Sequence, residues 1–343
     1  VVTGAGNGVL EVMVGKQSIL LLDGEPHQRQ RKLLMPPFHG EQLRAYAQLI
    51  CDITRDISAG WQPGQTILAR PPIQNLTLGV ILQAVFGEQK HERISRLQYL
   101  MGTLLDSFAY PISASFLFFP ALQKDLGAWS PWGKFIRLRE EVRSLIYAEI
   151  SDRRQQLKSS TPNPSEKPDI LTLLLQARDE SGGAMSDQEL HDEIVTLLLA
   201  GHETTASAIV WMLYWIHHLP EVEQKLRAEL KALGPQPDLI AIAQLPYIIH
   251  QRPDLYPEPQ QFRPERFLEK QFAPHEFLPF GGGHRYCIGS ALAMMELKLS
   301  IATLLADFEM TLPHSRPLFP ARRGLTMAPP ASMKLKIREK RTS

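Results

Sequence analysis

The sequence predicts a mainly α fold with a minor β part. Three observations carry this reading. Apolar residues recur at helical spacing over several long segments, local start and stop signals bracket those segments, and strand-like patterning is confined to the C-terminal end. There are no internal repeats and no series of alternating strand and helix units.

The elements follow in order. From Pro36 to Ala59, residues Leu43, Tyr46, Leu49, Ile50 and Ile53 share one face and predict a helix. A second runs from Ile73 to Val85 and ends before Phe86 and Gly87. A third spans Lys134–Leu157, with Phe135, Leu138, Val142, Leu145 and Ile146 on one face and charges on the other. The segment KSSTPNPSEKP, Lys158–Pro168, is polar and proline-rich and reads as a surface loop. The longest helix opens at Ser186, which with Glu189 makes a capping-box pattern, and continues through His218 to a stop at Pro220. Another follows from Glu221 to Leu233, before Gly234. Ala291–Phe308 is the last predicted helix. Arg322–Ile337 reads as a hairpin around Pro329–Pro330.

The totals bound the class. The chain has 343 residues, 44% hydrophobic and 21% charged, a globular composition with a sizeable core in one large or two smaller domains. A formal net charge of +1 gives no electrostatic case for nucleic acid. Two cysteines, Cys51 and Cys287, make neither a disulfide framework nor a CxxC zinc pair, so a reducing, cytoplasmic setting is expected. No 18-residue stretch is free of charged or strongly polar residues, so no transmembrane helix is expected. Val1 at the start is expected of a chain from which segments of a longer protein are omitted, and a membrane anchor there would be invisible.

Four motifs could carry chemistry. In LPFGGGHRYCIGSALA, Leu278–Ala293, Cys287 sits between glycines just before an apolar helix. Such a cysteine is a metal ligand, a nucleophile or a small buried residue. Helical N–H groups and the positive dipole end lie near the sulfur, and with Arg285 they favour the thiolate that binds metal. Glycines at 281, 282, 283 and 289 let backbone approach a flat partner closely. Inside the longest helix, AGHETT places Ala200 and Thr204 four residues apart on one face. Small Ala200 and Gly201 leave room there, Thr204 can offer its hydroxyl or bond back to the preceding turn, and Glu203 points about 100° away toward solvent. A polar stripe on a surface helix is the alternative, and flanks as apolar as IVTLLLA and IVWMLYWI count against it. His27 and Arg31, at i and i+4, can reach one anion, or form a solvated basic face. Finally, LYPEPQQFRPERFL, Leu255–Leu268, is a proline-punctuated loop.

Phe280, Gly283, Arg285, Cys287 and Gly289 resemble the F-x-x-G-x-R-x-C-x-G signature of the cytochrome P450 superfamily. AGHETT resembles its oxygen-activation motif, His27 and Arg31 its H-x-x-x-R pair, and Pro264–Phe267 its meander, and the likeness is to bacterial, particularly cyanobacterial, members. The resemblance implies one cytochrome P450 domain over 1–343, incomplete in its β part, with the long central helix and the cysteine-loop helix sandwiching haem b. Cys287 would be the axial thiolate of the iron, a ligand that favours O–O cleavage. Arg285, His27 and Arg31 would meet the propionates, Phe280 would pack beside the sulfur, Thr204 would hydrogen-bond dioxygen and Glu203 would help deliver protons. The implied function is a haem-thiolate monooxygenase that inserts one atom of O2 into a lipophilic substrate such as a fatty acid or terpenoid. A ferredoxin- or flavodoxin-like donor, served by an NAD(P)H reductase, would supply electrons near His284, Arg285 and Lys298. A monomer is expected.

Two features pull elsewhere. VVTGAGNGVLEV, with Asp23 after ILLL, suggests a dinucleotide-binding turn and hence a dehydrogenase, but Gly4-x-Gly6-x-Gly8 is not G-x-G-x-x-G and too few residues follow for a βαβ unit. The family's E-x-x-R helix is missing between Leu245–Tyr247 and the meander. Glu41–Arg44 and Glu140–Arg143 match it only by chance, on expected surface positions. Arg266 is then expected to be a buried charge without its carboxylate, and a truncated, catalytically defective haem-binding remnant is the alternative function.

Overall fold

The computed structural model describes residues 4–87, 92–108, 111–159, 168–232, 258, 261, 263–273, 276–277, 279–314, 316–323 and 326–341. The helices are α1 (Glu11–Val14), α2 (Gly24–Leu34), α3 (Gly40–Ser58), α4 (Arg70–Phe86), α5 (Glu92–Asp106), α6 (Pro111–Phe118), α7 (Pro131–Ser159), α8 (Ile170–Gln176), α9 (Asp187–His218), α10 (Pro220–Ala232), α11 (Arg266–Glu269) and α12 (Ser290–Asp307). The strands are β1 (Thr66–Leu68), β2 (Phe308–Thr311), β3 (Ala321–Arg323), β4 (Thr326–Ala328) and β5 (Lys334–Lys340).

Helix α9 is the axis of the fold. It packs most extensively on α4, and also on α12, α7 and α10, while α12 packs on α3. Its buried apolar residues reach well beyond one narrow stripe, from Leu190, Ile194 and Leu198 round to Val210 and Tyr214. By length and composition alone α9 could cross a membrane, contrary to the expectation that no segment could. Half of that stretch is buried among its neighbours, the packing of a core helix.

Local chemistry sets where α9 begins. The Glu189 N–H donates to Ser186 Oγ at 3.2 Å and the Ser186 N–H donates to Glu189 Oε2 at 2.7 Å, a complete capping box. The Asp169 carboxylate caps α8 in the same way, accepting the Thr172 N–H at 2.8 Å. The helix predicted over 36–59 divides into a short 3-10 turn at Pro36–Phe38 and α3. Phe308, predicted as the last helical residue, begins β2.

Strand β5 pairs antiparallel with β1 on one side and β2 on the other, with an irregularity between Glu309 and Met310. Leu335 and Ile337 are its buried alternate residues. The hairpin lies elsewhere than predicted. It joins β3 to β4 through 324–325, before Pro329–Pro330, which lead into β5 of the other sheet. Gly4–Leu10 forms a 3-10 helix running into α1, whose 4 residues are far short of the helix of a βαβ unit. Residues 1–3, 160–167 and 233–257 lie outside the described residues, and with them the ends of the predicted loop and helix and the seam after Tyr247.

Candidate active site

The middle of α9 opens in an otherwise buried helix. Ala200 and Thr204 are exposed, while His202, Thr205, Ala206 and Ser207 are buried. The Thr204 hydroxyl donates to the Ala200 carbonyl at 2.6 Å, so the two share one face and the preceding turn is engaged by a side chain.

Gly201 and Glu203 face elsewhere. A Cβ on Gly201 would stand 3.2 Å from Ile81 Cγ1, so its lack of a side chain lets α4 approach α9. This corrects the expectation that Gly201 opens space beside Ala200. Glu203 does point away from Thr204, but into an ion-pair network instead of solvent. It accepts from Arg70 at 2.5 Å and Gln74 at 2.9 Å and pairs with Arg323 at 3.1 Å. Arg323 also pairs with Asp106. Below it, the Thr77 hydroxyl bonds the His202 carbonyl at 3.0 Å, and burial lowers the His202 pKa. Arg70, Gln74 and Thr77 did not stand out in the sequence. Polar side chains in the apolar run of α4 were their only signal.

The cysteine loop is shaped by glycine. Gly281 (φ +74°) and Gly283 (φ +60°) take left-handed conformations that L side chains rarely adopt. The Cys287 N–H donates to the Phe280 carbonyl at 3.0 Å and closes the loop, and the half-buried Phe280 ring meets Tyr286 edge-on at 6.4 Å. Gly289 precedes α12, with open space where its Cβ would be. Cys287 is exposed by surface area, yet enough protein surrounds it for burial to push its thiol pKa up. The Gly289 N–H and the Arg31 charge pull the other way without prevailing. Arg285, expected to add positive charge beside the sulfur, is turned to other partners. It donates to the Ile19 carbonyl at 3.0 Å and to the Leu22 carbonyl, and it pairs with Asp23 at 2.6 Å.

Helix α2 brings its pair to the same place. Arg31 donates to the Tyr286 carbonyl, next to Cys287, at 2.7 Å. His27 is buried. Burial and the nearby charges of Arg285 and Arg31 lower its pKa, with Asp23 opposing and His284 adding slightly. The segments around His27 and Cys287, far apart in sequence, thus meet in one cationic cluster.

Other expectations resolve locally. Arg266 is buried, and the carbonyls of Arg263, Glu258 and Gln261 receive its N–H groups at 2.8, 3.2 and 3.1 Å. Its N–H groups are therefore satisfied by backbone, since a guanidinium has enough donors for several carbonyls. Glu140 and Arg143 pair at 3.0 Å on the surface. His217 bonds Glu223 at 3.0 Å and His218 stacks on Tyr214. Lys298 is half-buried in an apolar groove of α9, α10 and α12, where burial lowers its pKa, so it is no open surface charge for a partner.

The residues fit a flat, iron-bearing group with two carboxylates. Cys287 offers sulfur, Arg31 and Arg285 offer cations with the His27 ring beside them, and Ala200 with Thr204 offers a small-residue face. The cytochrome P450 family model matches residues 7–248 and 240–337. The chain belongs to the cytochrome P450 family. Cytochromes P450 bind haem and are in general monooxygenases that use dioxygen, an organic substrate and a redox partner. The chain is 31% identical to cytochrome P450 135A1 of Mycobacterium tuberculosis over 97% of its length and 80% of the relative's. It is 30% identical to cytochrome P450 138 of Mycobacterium bovis over 88% of its length and 74% of the relative's. Neither name states a substrate. Among solved structures it resembles the retinoic acid-bound cyanobacterial CYP120A1, with a TM-score of 0.78 and 23% identity over 96% of this chain and 82% of that one. It also resembles the cytochrome P450DA haem domain, with a TM-score of 0.80 and 20% identity over 97% and 82%. The two family-matched stretches meet at 240–248, where the sequence lacks E-x-x-R.

Proposed function

We propose that the chain is a haem-thiolate monooxygenase that hydroxylates a lipophilic substrate in the cytoplasm, as a monomer. One oxygen atom of O2 enters a C–H bond. The other leaves as water, with two electrons and two protons supplied. A ferredoxin- or flavodoxin-like protein, reduced by its NAD(P)H reductase, delivers the electrons. The observation that carries the reading is the meeting of His27, Arg31 and Arg285 beside Cys287, with all five signature residues present.

In this reading Cys287 is the metal ligand, and Phe280, Gly283 and Gly289 shape its loop. His27, Arg31 and Arg285 take the two carboxylates, and Ala200 gives α9 the small surface beside the cofactor, while Gly201 lets α4 pack behind it. Haem, when bound, supplies the activation of dioxygen. Thr204 holds a hydroxyl on the exposed face of α9, where it can turn from the Ala200 carbonyl to donate to a ligand. Glu203 holds its carboxylate one residue away, and moving a proton toward Thr204 requires it to loosen from Arg70 or Arg323.

The test is turnover of the haem-loaded protein under oxygen-18 with NADPH, ferredoxin and ferredoxin reductase. Retinoic acid, the ligand of one solved neighbour, is the first compound to try. The proposal predicts product bearing one oxygen-18 atom, and Thr204→Ala should consume oxygen with less product. A second reading, a truncated and catalytically defective remnant, is favoured by the missing E-x-x-R and the divided family match. It predicts haem binding without labelled product from any lipophilic compound.

A further inference from the structure

A cavity of about 800 Å3 lies where α1, α5, α6, α7 and the start of α9 come together. Val9, Val12, Met13, Leu104, Leu117 and Val195 give it apolar walls. Three cations also line it, and two of them are engaged. Lys16 is 77% exposed and lies 3.8 Å from Glu11. Arg143 is exposed, bonded to Glu140 and set over the Tyr147 ring.

Arg139 is different. It is half-buried on α7, it donates to the Val12 carbonyl at 3.1 Å, and its guanidinium lies 6.0 Å from the centre of the Phe135 ring. No carboxylate stands within ion-pair distance of it among the described residues. The acids of the cavity are occupied. Asp192 accepts the Gln17 N–H at 2.9 Å and bonds His191 at 2.8 Å, and Glu11 faces Lys16. A guanidinium has five donors, and the Val12 carbonyl takes one. The rest suit a carboxylate, which they can grip with two parallel bonds. Half-burial of Arg139 strengthens such a pair over one in open water.

We propose that Arg139 anchors the carboxylate of a lipophilic monocarboxylic acid whose hydrocarbon lies along the apolar walls. The inference rests on the reading of the chain as an oxygenase of lipophilic compounds and narrows its substrate class. An acid held this way keeps its charge at α7 and extends its hydrocarbon toward α9. Val195 there stands five residues before Ala200, about 7.5 Å along the helix axis.

The test is calorimetric binding of dodecanoic acid and of dodecan-1-ol to the haem-loaded protein. The wild type should bind the acid at least about tenfold more tightly than the alcohol. Arg139→Leu should abolish that preference and leave alcohol binding within about twofold, and Arg139→Lys should keep part of it. Should Arg139→Leu unfold, Arg139→Gln takes its place, because it keeps a donor for the Val12 carbonyl. Equal binding of acid and alcohol by the wild type overturns the proposal, as does undiminished acid preference in the uncharged variant. The carbon monoxide spectrum of the same samples separates the two claims. Acid preference without the thiolate band supports the anchor and counts against the oxygenase reading. The band without acid preference counts against the anchor alone.

Discussion

Arg285 pairs with Asp23 at 2.6 Å, and the same guanidinium holds the carbonyls of Ile19 and Leu22. The cysteine loop is thereby fastened to the strap before α2. The ion pair is about one-third exposed, so solvent screens it, whereas loss of Arg285 also strands two carbonyls. Asp23→Ala should therefore cost about 0.5 kcal/mol, and Arg285→Ala about 1–3 kcal/mol. Urea denaturation of the two variants checks the order. Equal losses would contradict it.

The contact between Gly201 and Ile81 predicts a size effect. Gly201→Val drives a branched side chain into Ile81 and should destabilise by about 1–3 kcal/mol. Adding Ile81→Ala to Gly201→Val should recover part of that loss through the freed volume. A double variant less stable than the sum of the single changes would show that the two residues do not share this space.

Glu203 and Arg70 should be strongly coupled. The Arg70 side chain is 4% exposed and that of Glu203 18%. Removing Glu203 leaves the Arg70 charge shielded from water, a change that costs about 3–5 kcal/mol in fully buried pairs, whereas removing Arg70 leaves Glu203 its pair with Arg323. A double-mutant cycle with Glu203→Gln and Arg70→Met should give a coupling above about 1 kcal/mol. The exposed pair Lys32–Glu180 should give less than about 1 kcal/mol in the same assay.

Glu193 makes stability depend on pH. It is fully buried on α9, and burial pushes its pKa up to about 8, against the Ile19 N–H that its Oε1 accepts at 2.7 Å. The folded chain then holds a proton that the unfolded chain releases at the ordinary carboxylate pKa. Stability should fall as pH rises from that ordinary value to about 8, by at most about 1.4 kcal/mol per unit for this one proton, and then level off. Glu193→Gln should reduce the slope by that one-proton share, as thermal unfolding across the range would record, and buried Glu296, its pKa also raised, supplies a slope of the same sign. An unchanged slope would contradict the assignment.

The sequence reading succeeded where chemistry is local. Ser186, Glu189 and Pro220 mark the ends of α9 because caps and proline act within one turn. Ala200 and Thr204 share a face because four residues make about one turn. It failed where partners come from far along the chain. Nothing beside Glu203 announces Arg70 and Arg323, and nothing beside Arg285 announces Asp23. The turning of Arg285 away from Cys287 was hidden for the same reason. Pro329–Pro330 looked like a turn, but β5 is held by β1 and β2, so the hairpin closes earlier. Family membership was legible from the motifs, since five fixed positions around Cys287 rarely match by chance.

The carbon monoxide difference spectrum of the reduced, haem-loaded chain tests the central claim most directly. Ligation of haem iron by Cys287 predicts a Soret band at about 450 nm, lost in Cys287→Ser and retained in Thr204→Ala. A haem-loaded wild type without that band, or a Cys287→Ser protein that keeps it, would contradict the account.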